Sequence, residues 1–212
     1  MGRPILFENL AIQPYKVNSF DPFHAELIGT CKKVFSYIIS LLKRATPTSP
    51  YDALDDLNTR LSKLMLPPLW KKLPSIVLSY ERESKKAQLK YTGSQHSRFA
   101  QIAPFLFHSW LSNDKLKSNR NNVISELEAR IGKRHICLSL INLIHALALS
   151  NKTIFRNHQG TSQAEKKMFE ENIFNMRHQM CKVMGSDACS TWNFHLAQHW
   201  PKQQYDFGVA YY

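Results

Sequence analysis

The run ICLSLINLIHALAL, residues 136 to 149, constrains the fold more than any other stretch. It carries no charge, so it must be covered. A bilayer-spanning helix needs about 20 apolar residues, and this run is shorter and holds Asn142 and His145, so it reads as a buried helix at the centre of a core. Upstream, NNVISELEARIGKRH continues the pattern, either as one long helix or as two broken near Gly132. Val123, Leu127, Ile131, Leu138, Ile141, Ile144, His145 and Leu149 are the expected apolar positions. In that surround His145 reads as a neutral core histidine.

The segments that would cover this helix are themselves helical in pattern. Asp21 and Pro22 form an N-cap followed by proline at the first helical position. From Phe23 onward Leu27, Val34, Phe35, Ile38, Leu41 and Leu42 recur at helical spacing until TPTSP ends the run. A second helix is expected from about Asp52 to Met65 with Leu54, Leu57, Leu61 and Leu64 on one face. Its acids lie at the amino end and its bases at the other, an order that suits the helix dipole better than catalysis. SRFAQIAPFLFHSWL reads as a helix kinked at Pro104. Thr161 or Ser162 caps another helix, with Glu165 near the capping-box position and a stop at Gly185, and a last short helix is expected from about Asp187 to Trp200.

Strand is a fair reading only in SIVLSYERESKKAQLKY, where Ile76, Leu78 and Tyr80 alternate with their neighbours and RESKK suits a hairpin turn. The expected fold class is therefore mainly α: a multi-helix bundle with a β-hairpin near residues 75–91, in a single predominantly helical domain spanning 1–212. Residues 1–20 lack a helical stripe and are expected to dock on it as extended chain. The aromatic end QQYDFGVAYY is expected to dock on the protein or on a partner.

Charge supplies the strongest hint of function. Lys and Arg number 28 against 16 Asp and Glu, a net +12. Half of that excess falls in residues 60 to 90, where eight bases meet two acids, and a second cluster of six against two lies between Lys115 and Arg134. A field of this kind attracts polyanions, of which nucleic acid is the commonest for a basic soluble chain. The expected phosphate contacts are Lys71, Lys72, Arg82, Lys85, Lys86 and Lys90, extended by Arg120, Lys133 and Arg134. DNA is placed ahead of RNA, and a regulatory or accessory role ahead of catalysis. The rival reading is a non-enzymatic interaction component that docks a protein partner, or a second copy of itself, through aromatic segments.

The chain opens without an apolar signal region, since Pro4 and Glu8 interrupt it, so a cytoplasmic location is expected, or a nuclear one in a eukaryote. No membrane association is expected, and the four cysteines are expected as thiols. Cys181, Cys189, His195 and His199 are spaced C-x7-C-x5-H-x3-H, a set able to hold a structural Zn2+, with His178 as a substitute ligand. The spacing is not that of a standard zinc finger, and packing cysteines beside groove histidines is the competing reading. Apart from that zinc site no cofactor is expected.

Catalytic signatures are missing. The seven glycines form neither G-x-x-x-x-G-K nor G-x-G-x-x-G, and G-x-S-x-G is absent. His195 is followed by Leu196, which rules out H-E-x-x-H.

Overall fold

The computed structural model describes residues 23–45, 50–80, 87–108, 110–111, 122–132, 135–155 and 162–190, together with 199, 201 and 205. The described residues form a helical bundle with one small hairpin. A π-helix, Phe23–Cys31, runs directly into α1 (Lys32–Ala45), followed by α2 (Pro50–Lys63). Strands β1 (Leu78–Tyr80) and β2 (Ala87–Leu89) come next, then α3 (Gly93–His108), α4 (Asn122–Ile131), α5 (Ile136–Ile154) and α6 (Gln163–Met184), with a 3-10 turn at Ser186–Cys189.

The apolar spacing of α1 is realised in the core: Val34, Phe35, Ile38, Leu41 and Leu42 are all buried, as is Leu27 before them. Leu57 and Leu61 bury the matching face of α2. Two expected boundaries rest on local chemistry that the structure contains. Gly132, at φ +77, ends α4 in a conformation that side chains resist, so the long apolar pattern is two helices. Ser162 caps α6 in a reciprocal box, accepting from the Glu165 amide at 3.2 Å while its own amide donates to the Glu165 carboxylate at 2.9 Å.

The core helix α5 packs most heavily on α6 and then on α3. At 19 residues it is long and apolar enough to cross a membrane by length and composition, but 56% of its apolar window is buried inside the protein. Its orientation differs from the sequence expectation. Leu140, Leu143, Ile144 and Leu147 point inward with the small residues Ser139, Ala146 and Ser150. Leu138 and Leu149 are exposed, and so is His145, which is not a core histidine. In a run that is apolar all round, periodicity does not mark the buried side; the small residues that admit α3 and α6 do.

Edge-to-face aromatic contacts run through the interior. Phe99 of α3 meets Phe35 at 4.7 Å, Tyr91 at 5.5 Å and Phe107 at 6.3 Å, and Phe107 meets Trp110 at 6.1 Å. Such pairs add about 0.5–1.5 kcal/mol each beyond burial. The Trp110 indole N–H ends the series by donating to the Asp56 carboxylate on α2. Trp110 is buried, so FLFHSWL is mostly core and exposes Phe105 and His108.

The hairpin is antiparallel with Leu78 opposite Leu89, Ser79 opposite Gln88 and Tyr80 opposite Ala87. It is held to the helices by side chains: the Ser36 hydroxyl accepts from the Leu89 amide at 2.8 Å. Residues 1–20, the expected start at Asp21 and Pro22, the final helix over most of its length and the aromatic end, Tyr205 excepted, lie outside the described residues.

Candidate functional site

The long connection from α2 to β1 contains LPPLWKKLP, and its prolines prevent it from joining either element. It is nonetheless fixed in place. The Asn58 side chain acts as a surrogate strand, accepting from the Ile76 amide at 2.6 Å and donating to the Ile76 carbonyl at 3.2 Å. The Tyr91 hydroxyl donates to the Pro74 carbonyl at 2.7 Å, and the Arg98 guanidinium donates to the Lys71 carbonyl. The Lys90 amide extends the hairpin by donating to the Val77 carbonyl at 3.0 Å.

A candidate basic strip is drawn from α2, this connection, the residue after β2 and α3, and the Arg98 bond to Lys71 joins two of its members. Lys63, Lys71, Lys72 and Lys90 are exposed, and Arg98 lies half-buried beside Lys71. Among the described residues from 63 to 98 there is no Asp or Glu. The two acids of that stretch, Glu81 and Glu83, lie outside the described residues. Beside the lysines, a turn closed by the Trp70 amide and the Pro67 carbonyl at 2.8 Å holds Leu69 out at 96% exposure, and Met65 before it is 98% exposed. Of the nine expected phosphate contacts, Lys71, Lys72 and Lys90 stand in this strip. Arg82, Lys85, Lys86, Arg120, Lys133 and Arg134 lie outside the described residues. Lys63 and Arg98 were not among those expected; their signal was position, one at the end of α2 and one in the first turns of α3.

The cysteine–histidine set is only partly described. Cys181 is half-buried in the last turn of α6, and His199 is half-buried in a turn. The side chain of Cys189 and all of His195 lie outside the described residues. Cys31 and Cys137 are free thiols, but Cys181 is disulfide-bonded, which corrects the expectation of thiols throughout. A sulfur in that state is not the thiolate that zinc binds. Among the described residues no three His, Cys, Asp or Glu side chains converge as a metal site.

A second cluster was not anticipated from the sequence. Glu26 and Cys31 of the π-helix are fully buried, and so are His96 of α3 and Asn151 of α5. The Ser97 hydroxyl donates to the Asn151 side-chain oxygen at 3.3 Å, and the Asn151 amide reaches the Cys31 sulfur at 3.7 Å. Burial pushes the Glu26 carboxyl up to about 8, with the Thr30 hydroxyl offsetting part of the rise, so Glu26 is protonated at neutral pH. Its two oxygens lack a hydrogen bond of good geometry, as do both ring nitrogens of His96. Burial, helped by the Lys32 charge, lowers His96 to about 4 and keeps it neutral. The Cys31 thiol is raised well above its ordinary value, first by burial and then by the Glu26 charge. A thiol held so firmly in its protonated form is a poor nucleophile. The cluster is a polar knot in the core that is uncharged at neutral pH.

Between α1 and α2 a hollow of about 10 Å3 is lined by Ile39, Leu42, Lys43, Leu54, Leu57 and Trp110. It is far too small for a small-molecule site, which usually takes roughly 300–1,000 Å3. No protein-family model, curated protein or solved structure matches the chain.

Proposed function

We propose that the chain is a nucleic-acid-binding accessory protein that engages phosphates, of DNA in the first instance, through the strip of Lys63, Lys71, Lys72, Lys90 and Arg98. The observation that carries this reading is the pinning of the proline-rich connection. Asn58, Tyr91 and Arg98 fix an otherwise irregular segment that carries Lys71 and Lys72, and both lysines are exposed, as is Lys90 after β2. Phosphate contacts of this kind position a protein on a duplex without reading sequence. Arg98 has a double part, since one of its nitrogens holds the Lys71 backbone in place.

The test is a titration of fluorescent duplex DNA across a range of salt with the wild type and the Lys71→Glu, Lys72→Glu double variant. If both lysines neutralise a phosphate, the slope of log K against log salt becomes shallower by about 1.8, at about 0.9 per contact. Both side chains are exposed, so stability should change by no more than about 0.5 kcal/mol. Equal affinity and equal slope in the two proteins refute the reading. A single-stranded or RNA ligand bound more tightly than the duplex in the same titration would move the assignment to that polymer.

The exposure of Met65 and Leu69 favours a second reading, in which this loop inserts two apolar side chains into a groove on a protein partner. That contact would respond little to salt and would be lost in a Met65→Ser, Leu69→Ser variant.

A further inference from the structure

We infer that His108 and His145 form a two-imidazole site for a divalent late-transition-metal ion that bridges α3 and α5. The two helices are packed together, and His108 in the last turn of α3 comes beside His145 in the middle of α5 with ring centroids 6.4 Å apart. Imidazole nitrogens bind zinc at about 2.0–2.1 Å, which places the centroids of two rings on one ion about 5 Å apart at a tetrahedral angle and up to about 6.4 Å apart when they are opposed. The observed separation is at the outer edge of that range. The rings stand at 75°, one edge towards the other, so aiming both nitrogens at a common point needs a ring rotation with a small approach. Both side chains are exposed and have room for it.

The surroundings suit a cation despite the chain's net +12. One turn to either side of His145 stand Asn142 and Leu149, and one turn before His108 stand Pro104 and Phe105, none of them charged. Phe105 at 76% exposure and Leu149 at 46% give the pair an apolar rim. Two imidazoles with water completing the sphere select borderline ions such as Ni2+, Cu2+ and Zn2+ over Mg2+ and Ca2+, which prefer oxygen ligands. Only the neutral ring binds, so affinity falls as the pH is lowered. Occupancy would tie the carboxyl end of α3 to α5, near the opposite end of α3 from Arg98 and the basic strip. The site stands independently of the proposed nucleic-acid function.

The test is calorimetric titration of the full chain with Ni2+, with Mg2+ as the control ion, on the wild type and on His108→Ala and His145→Ala separately. The wild type should bind Ni2+ below 1 mM and Mg2+ not at all, and each single variant should bind Ni2+ at least about tenfold more weakly. Added Ni2+ should also raise the melting temperature of the wild type and leave both variants unmoved. Binding left intact in either variant overturns the proposal, because a chelate needs both rings, and so does a wild type that fails to bind. Neither substitution touches the core, so far-UV circular dichroism identical to the wild type should accompany the loss.

Discussion

Replacing Glu26 by glutamine should stabilise the protein above neutral pH and flatten its decline towards alkali. In the folded protein Glu26 keeps its proton up to about pH 8, whereas its ordinary value is 4.5. Between those limits the native state holds a proton that the unfolded chain has released, so stability falls as pH rises, by about 1.4 kcal/mol per unit. Acting alone, Glu26 would cost about 5 kcal/mol over that window. His96 works in the opposite sense: its ordinary value of 6.5 drops to about 4 on folding. The unfolded chain therefore holds the extra proton between pH 4 and 6.5, and stability rises with pH there. The two slopes cancel from about pH 4.5 to 6.5 and leave a plateau. Above it Glu26 acts alone and removes about 2 kcal/mol by pH 8, a large share of a typical folding free energy of 5–15 kcal/mol. Glutamine is neutral at every pH and nearly isosteric with the protonated acid. Urea denaturation at half-unit steps from pH 5 to 8 should show wild type and Glu26→Gln nearly equal at pH 5 and diverging steadily above it: the variant gains stability up to about pH 6.5, where His96 acts uncompensated, and is level beyond, while the wild type is level and then falls. Parallel profiles up to pH 8 would refute the reasoning, because they would mean that Glu26 is not the group losing its proton.

Two further outcomes concern the frame around the site. Asp56→Ala should cost about 1–3 kcal/mol in chemical denaturation, because it strands the buried Trp110 indole N–H, whereas Asp56→Asn keeps an acceptor and should lose less. Gly185→Ala should cost about 1–3 kcal/mol in the same assay: at φ +91 and ψ 162 the backbone occupies a region used almost solely by glycine. The added methyl would also meet the Arg130 guanidinium at 2.9 Å, a flexible neighbour that can give way.

The parts of the fold legible in the sequence are those governed by neighbours along the chain. The Ser162 and Glu165 box, the break at Gly132 and the alternation around Ile76 to Tyr91 state their structure locally, and the structure contains them. The amino end of α3 was also written locally, as Thr92-Gly93-Ser94-Gln95. Its Thr92 amide donates to the Gln95 side chain at 2.8 Å, and the Gln95 amide donates to the Thr92 hydroxyl at 3.4 Å. The weak helix propensity of Gly93 and Ser94 hid that signal. What the sequence did not reveal depends on distant partners: Asn58 with Ile76, Trp110 with Asp56, and Cys31 with Asn151 are 18, 54 and 120 positions apart. The candidate strip was half legible for the same reason. Lys71, Lys72 and Lys90 stood out as charge, whereas Arg98 matters through a bond to a backbone carbonyl 27 positions away.

The π-helix at Phe23–Cys31 has a consequence for how this chain tolerates changes of length. Its turn takes about 4.4 residues where an α-helix takes 3.6, so over nine residues the backbone completes roughly half a turn less. Glu26 and Cys31, five positions apart, thereby come to within about 50° of one another around the axis, whereas an α-helix would set them about 140° apart. Here a residue gained or lost is registered as an angle more than as a length. Deleting one residue between them would leave them four positions apart, about 40° in an α-helix, so the segment could rewind as α-helix and keep the carboxyl on the thiol's side.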